Sequence, residues 1–368
     1  MRPRRATWLA LPLLFVAPAL AACSSSSSSS SSAPTTAAAS AAASTSSSSS
    51  AAASGGSLKS GLKVFVIPKN LGNSYFTTSD SVNSGGALAA LQTLGETASE
   101  TSGTADTPSS QIPAIQAAIS KGANALVISA TDPTALCPTL KSAMARGIKV
   151  VTFDSDAPTC RSMFINQATP QALGDSEVDL LASQIGDSGQ IAIVSASADD
   201  TNQNSWISYM KQELKKFPKM SLVSTVYGND DTATSTSVTQ GLLEQYPNLA
   251  GIISPTTVGI LAAAAVLDTA KYRGKIQLTG LGTPVAMSKY VDDGTVQSFE
   301  LWNPANLGYL AAYAAVNFAS KKITSAAGQS FSAGKLGTFT VGSDSTILLG
   351  SPLVFTKSNI NDYSSWGF

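Results

Sequence analysis

Histidine is absent from all 368 residues. That absence removes the usual general base, the usual partner of a nucleophilic serine and the commonest zinc ligand together. Catalysis would have to rest on carboxylates, lysine or tyrosine, and no cofactor or metal is expected. Charge is sparse too, at 12% of residues, with 23 Lys and Arg balancing 23 Asp and Glu. No basic cluster and no Lys/Arg-rich helix occurs, which argues against nucleic acid as a partner. Beyond residue 58 no run is long and apolar enough to cross a bilayer. Cysteine occurs three times, as Cys23, Cys137 and Cys160.

What is present begins with an export pattern. Arg2, Arg4 and Arg5 precede the apolar run Trp8 to Leu20, which is too short to span a membrane. Residues 1–22 are therefore expected to be a signal peptide. The run ends in Leu20-Ala21-Ala22-Cys23, which resembles the bacterial lipobox, so Cys23 is the expected lipidation site and membrane anchor. An ordinary cleavable signal with an incidental cysteine is the alternative. Residues 23–58 are almost entirely Ser, Ala, Thr and Gly, with nothing large enough to offset the entropy of ordering. A flexible tether of roughly 34 residues spans on the order of 30 Å. Export would place Cys137 and Cys160 in an oxidising compartment, where a disulfide is expected over two separately buried thiols.

About 310 residues follow, more than one hydrophobic core usually serves, so two lobes are expected. Short apolar runs alternate with amphipathic stretches, starting with Val64 to Ile67 and a helical segment from Tyr75 to Leu94. The beat continues through strands at Ala125, Lys149 and Met163, then repeats as a second series with strands at Gln190, Leu222, Ala250 and Ile276. Near-continuous apolar strands between helices predict parallel sheets buried on both faces. The fold class is therefore α/β, with two similar doubly wound parallel-sheet lobes.

In such sheets a ligand lies beyond the C-terminal ends of the strands. That rule selects the loops carrying Lys69, Asn73, Tyr75 and Phe76, then Asp154 and Asp156. In the second series it selects Asn202, Gln203 and Trp206, then Pro255 and Thr257, and finally Trp302. Carboxylates and amides pair with vicinal hydroxyls, and aromatic rings pack on the C–H face of a sugar. Each residue also has a purely structural alternative. Asp154 and Asp156 could be turn or capping residues, Lys69 a solvated lysine, Asn202-Gln203 a helix cap, and Trp302 a hinge plug.

The pattern Pro68-Lys69-Asn70-Leu71-Gly72-Asn73-x-Tyr75-Phe76, with Asp154-Ser155-Asp156, Asn202-Gln203-Asn204-x-Trp206 and Leu301-Trp302-Asn303-Pro304, resembles the type I periplasmic sugar-binding family of ABC importers. The nearest branch is the one holding rhamnose-binding and autoinducer-2-binding proteins. The resemblance runs from about Lys63 to the C-terminus. It implies a multi-crossing hinge, with 59–167 plus 303–335 as the N-terminal lobe and 168–302 plus 336–368 as the C-terminal lobe. It also implies closure on a small sugar or polyol, a partner ABC importer permease and a monomeric, extracytoplasmic protein. Lys69 and Asp154 match ligand-holding positions of the autoinducer-2 branch. Asn202-Gln203 and Pro255-Thr256-Thr257 depart from its Asp-Gln pair and Pro-x-Ala loop, while Asn73 with Tyr75-Phe76 looks more like a rhamnose-type or ribose-type first loop.

Other readings compete. An autoinducer-2 receptor for uptake or signalling shares the lysine and aspartate. A glycosidase could use Asp154 with Asp156, or Asp199 with Asp200, but retaining chemistry wants two carboxyl groups about 5 Å apart. A transcription regulator shares the two-lobe core but needs a DNA-binding module where this chain carries a signal and a tether.

Overall fold

The computed structural model describes residues 57–366. The expected signal peptide, Cys23 and nearly all of the expected tether lie outside that range. In the described residues, β1 (Lys63–Ile67), α1 (Ser74–Asp80), α2 (Ala87–Thr93), β2 (Thr97–Glu100), α3 (Pro108–Ser120), β3 (Ala125–Ile128), α4 (Pro133–Ala145), β4 (Lys149–Phe153) and β5 (Met163–Asn166) form a first α/β series. A second comprises α5 (Pro170–Ile185), β6 (Ser188–Ser195), α6 (Thr201–Glu213), β7 (Lys219–Tyr227), α7 (Thr232–Gln245), β8 (Leu249–Ser254), α8 (Thr257–Leu267), β9 (Gln277–Gly280), α9 (Pro284–Asp292) and β10 (Ser298–Leu301). Then follow α10 (Pro304–Ala319), the hairpin β11 (Ser330–Ser332) and β12 (Thr338–Thr340), β13 (Thr346–Leu348) and β14 (Leu353–Thr356).

Two parallel sheets result. The first has the order β13-β5-β4-β3-β1-β2 and the second β7-β6-β8-β9. Side chains alternate across a strand, and in the first sheet both faces are apolar. Val64, Val66, Val127, Val151 and Phe153 turn toward α2 and α10. Phe65, Ile67, Leu126, Ile128 and Val150 turn toward Ile115 of α3 and Leu136 and Leu140 of α4. Each such fully buried side chain contributes about 1.5–3 kcal/mol. The order in which strands are added reverses between β1 and β3 in the first sheet and between β6 and β8 in the second, leaving crevices at their C-terminal edges.

The helix expected from Tyr75 to Leu94 is instead two short helices. The break comes where Gly86 passes Ser79 so closely that a Cβ would lie 2.2 Å from the Ser79 carbonyl oxygen. Gly308 of α10 meets the same carbonyl, where a Cβ would lie 1.9 Å away. The two glycines let α10, buried along nearly its whole length, lie against α1 and α2.

The tail is divided between the first sheet and a separate two-stranded sheet. Within the span 336–368, expected in the second lobe, β13 pairs in parallel with β5 at the edge of the first sheet, while β14 pairs antiparallel with β10. Ile347 is buried at that edge. These strands are too short and too polar for periodicity to assign them. Cys137 of α4 and Cys160 are joined, with Cα atoms 5.3 Å apart, tying α4 to the loop after β4 as expected. No helix of the described residues is long and apolar enough to cross a membrane.

Candidate functional site

The loop after β1 turns at Gly72, whose φ of 87° favours glycine, and enters α1 at Asn73. The Asn73 side-chain oxygen accepts from the Tyr75 amide at 3.0 Å, the usual N-cap arrangement. This start aims Tyr75 and Phe76 inward, both buried. Gln111 of α3 holds the loop from behind, donating to the carbonyls of Pro68 (2.9 Å) and Ser129 (2.7 Å) and accepting from the Thr131 amide (3.1 Å). Asp154, just past β4, has φ 60°, a left-handed conformation that aspartate tolerates better than most residues. Ser129 donates to one Asp154 carboxylate oxygen at 2.7 Å and the Tyr75 hydroxyl to the other at 3.2 Å. The Trp302 indole donates to the Tyr75 hydroxyl at 3.0 Å, which fixes Tyr75 from the opposite side.

The second sheet answers from across the crevice. After β6, the Asn202 amide donates to Asp154 at 3.4 Å, and Thr201 donates to the Asp156 carbonyl at 2.9 Å. Trp206 of α6 meets Trp302 edge-to-face, with ring centroids 6.1 Å apart. After β7, Asn229 and Asp230 both take positive φ, 53° and 47°, turning Asp230 inward. Asp230 accepts from Thr256, the residue before α8, and from the Asn73 amide at 3.5 Å. The space between these walls, including the part open to solvent, is about 360 Å³.

The electrostatic centre is Lys69. Only 2% exposed, it lies 2.8 Å from Asp200, which is fully buried. The contact is an ion pair by distance without aligned hydrogen-bond geometry. Burial disfavours the Lys69 ammonium, but Asp200, Asp106, Asp154 and Asp230 outweigh it and hold its pKa above the ordinary lysine value. Burial raises Asp154, Asp200 and Asp106 in turn, each drawn back by Lys69, and Asp106 rises to about 6.

The structure thus brings Lys69, Asn73, Tyr75, Phe76, Asp154, Asn202, Gln203, Trp206, Pro255, Thr257 and Trp302 around one cavity. Asp156 is not among its walls and is a correction. Arg161 grips both Asp156 oxygens, at 2.8 and 3.1 Å through Nε, and Thr152 takes one as well. The arginine five residues on competes for the carboxylate and turns it away. Gln203 lines the cavity, but its oxygen accepts from Ser195 (2.7 Å) and the Ala196 amide (2.8 Å), so it also shapes the loop. Among the walls, Thr256 and Leu281 lie on loops the strand-end rule selects without being named as ligand residues, while Asp230 and Leu301, and Asp106 and Gln111 behind them, were missed. Asp230 could have been found, because it follows a predicted strand at the same sheet edge as the others. No group of three or more Asp, Glu, Cys or His among the described residues is arranged to hold a metal ion.

Two parallel α/β sheets sharing one polar and aromatic crevice define the architecture of a hinged solute-binding protein. Residues 64–323 match the family described as the periplasmic binding protein domain, and the chain belongs to that family. Membership implies an extracytoplasmic solute-binding role and association with an ABC importer. A sugar ABC transporter structure from Actinomyces odontolyticus is 42% identical over 83% of this chain and 99% of its own, with a TM-score of 0.65. A solute-binding protein from Clostridium phytofermentas, solved with L-rhamnose, is 34% identical over 83% of this chain and 99% of its own, with a TM-score of 0.79. LsrB from Clostridium saccharobutylicum, solved with AI-2, is 25% identical over 82% and 99%, with a TM-score of 0.77.

Proposed function

We propose that this chain binds a monosaccharide-sized sugar or polyol between two closing lobes and presents it to an ABC importer. The observation that carries the reading is the composition of the crevice. One cavity is walled by Lys69, Tyr75 and Asp154 from the first sheet's loops and by Asn202, Asp230 and Thr257 from the second's. Carboxylates and amides suit hydroxyl groups, and the Tyr75, Trp206 and Trp302 rings suit a sugar's apolar face. L-rhamnose in the 34% identical relative supports a rhamnose-like ligand.

Contacts from both sides exist together only when the lobes are closed, so a ligand that makes them shifts the population toward closure. In this reading the lobes are 59–167 plus 303–335 and 168–302 plus much of the remaining tail, with β13 on the first. Residues 1–22 direct export, and a lipid on Cys23 holds the protein at the membrane by the tether. The protein acts by binding and not by turnover. In support, both Asp154 oxygens are engaged by Ser129 and Tyr75, and Asp156 is held by Arg161.

Thermal-shift screening followed by calorimetry, with L-rhamnose, D-arabinose, other pentoses and hexoses, alditols and AI-2, tests this reading. A saturable shift with one sugar or polyol is expected. Response to AI-2 alone would favour the autoinducer receptor, and release of phenol from aryl glycosides would overturn the non-catalytic reading.

A further inference from the structure

Lys69 is the one cationic side chain on the cavity wall among the described residues, and it is already paired with Asp200 at 2.8 Å. Asp154 and Asp230 line the same space, and Asp106 stands close enough to act on Lys69, Asp154 and Asp230 electrostatically. Asp106 is 8% exposed, and neither of its oxygens has a hydrogen-bond partner among the described residues. Four carboxylates therefore converge on one ammonium. If two of the four carried protons, the cluster would still hold net negative charge.

The features that ordinarily attract an anion are neutralised here. Helix N-termini carry partial positive charge, and two of them approach the crevice. Asp200 occupies the N-cap position of α6, with no hydrogen bond from its side chain to the helix. Asp230 accepts a hydrogen bond from Thr256, the residue capping α8. Each positive end thus has a carboxylate at or next to its N-cap residue.

Resting on the sugar reading above, we propose that the cavity sorts sugars by charge. It admits neutral and amine-bearing sugars and excludes uronates and sugar phosphates, because an added anion would enter a desolvated space already holding surplus negative charge. Asp230, on the wall, is the residue that exposes this filter most directly. Asp106 strengthens it from behind Lys69.

The test is calorimetry and competition binding on the whole exported chain. The panel holds neutral sugars including L-rhamnose and galactose, with galactosamine, galacturonate, galacturonamide, glucuronate and hexose 6-phosphates. Anions are expected to bind at least 100-fold more weakly than the best neutral or amine-bearing member. Asp230→Asn, which keeps the shape, is expected to narrow that gap at least tenfold, and Asp106→Asn to narrow it less. The uronamide, matching the uronate in size without its charge, is expected to bind better than the uronate. A uronate or phosphate within tenfold of the best neutral sugar would overturn the charge filter and leave the sugar reading standing. An unchanged gap in a folded Asp230→Asn protein would show exclusion by size and also overturn it. No binding by any class would overturn both.

Discussion

Glu300 offers a prediction whose size follows from its surroundings. It is the penultimate residue of β10, two residues before Trp302 at the cavity, and is fully buried. Ser176 donates to one oxygen at 2.6 Å, while the other has no partner among the described residues. Burial lifts its pKa from an ordinary 4.5 to about 7, against the pull of Ser176. Glu177 lies near enough to be raised further by its charge. Between these pH values the folded protein keeps a proton that the unfolded chain releases, so stability falls as pH rises from about 4.5 to about 7. The full effect is about 3 kcal/mol, at 1.36 kcal/mol per pH unit. Glu300→Gln mimics the neutral acid in shape and in its bond from Ser176. The variant should match the parent protein in thermal unfolding near pH 4 and exceed it at pH 8 by on the order of 5 °C. Equal shifts at both pH values, or a loss at pH 8, would refute the burial argument.

Asp154→Asn keeps a residue that tolerates the left-handed turn and removes the carboxylate. Calorimetry should show sugar affinity reduced about 10- to 100-fold, the range for an unsatisfied buried partner, with unfolding temperature little changed. Replacing Cys137 and Cys160 together by serine should cost about 3 kcal/mol in denaturant unfolding, on the loop-entropy account of their 23-residue separation. Gly308→Ala places a methyl group 1.9 Å from the Ser79 carbonyl, so α10 must shift from α1, with a loss of at least about 1–3 kcal/mol measurable in the same assay.

Much of the site was legible because a parallel sheet puts its binding loops where its strands end. Val64 to Ile67 and Lys149 to Phe153 announced buried strands, and the loops after them carried Lys69 and Asp154 into the crevice. What the sequence hid were effects of distance. Asp230 follows a predicted strand and was within reach of the same rule, but its run of small polar residues reads as an ordinary turn, and its inward direction comes from consecutive positive φ angles. Gln111 lies within a helix, yet its amide clamps loops 18 and 43 residues away in sequence. Asp156 had the right neighbours, but Arg161 engages both of its carboxylate oxygens. The end of α1 is packed against α10, more than two hundred residues later, where Gly308 comes close to the Ser79 carbonyl.

The most direct test is a crystal structure of the chain with the sugar that gives the largest thermal shift. The sugar should lie between the two sheets, with hydroxyls on Asp154 and Lys69 from one side and on Asn202 or Asp230 from the other, and a ring face against Trp302 or Tyr75. A sugar held by one sheet's loops alone, or bound outside this crevice, would contradict the account.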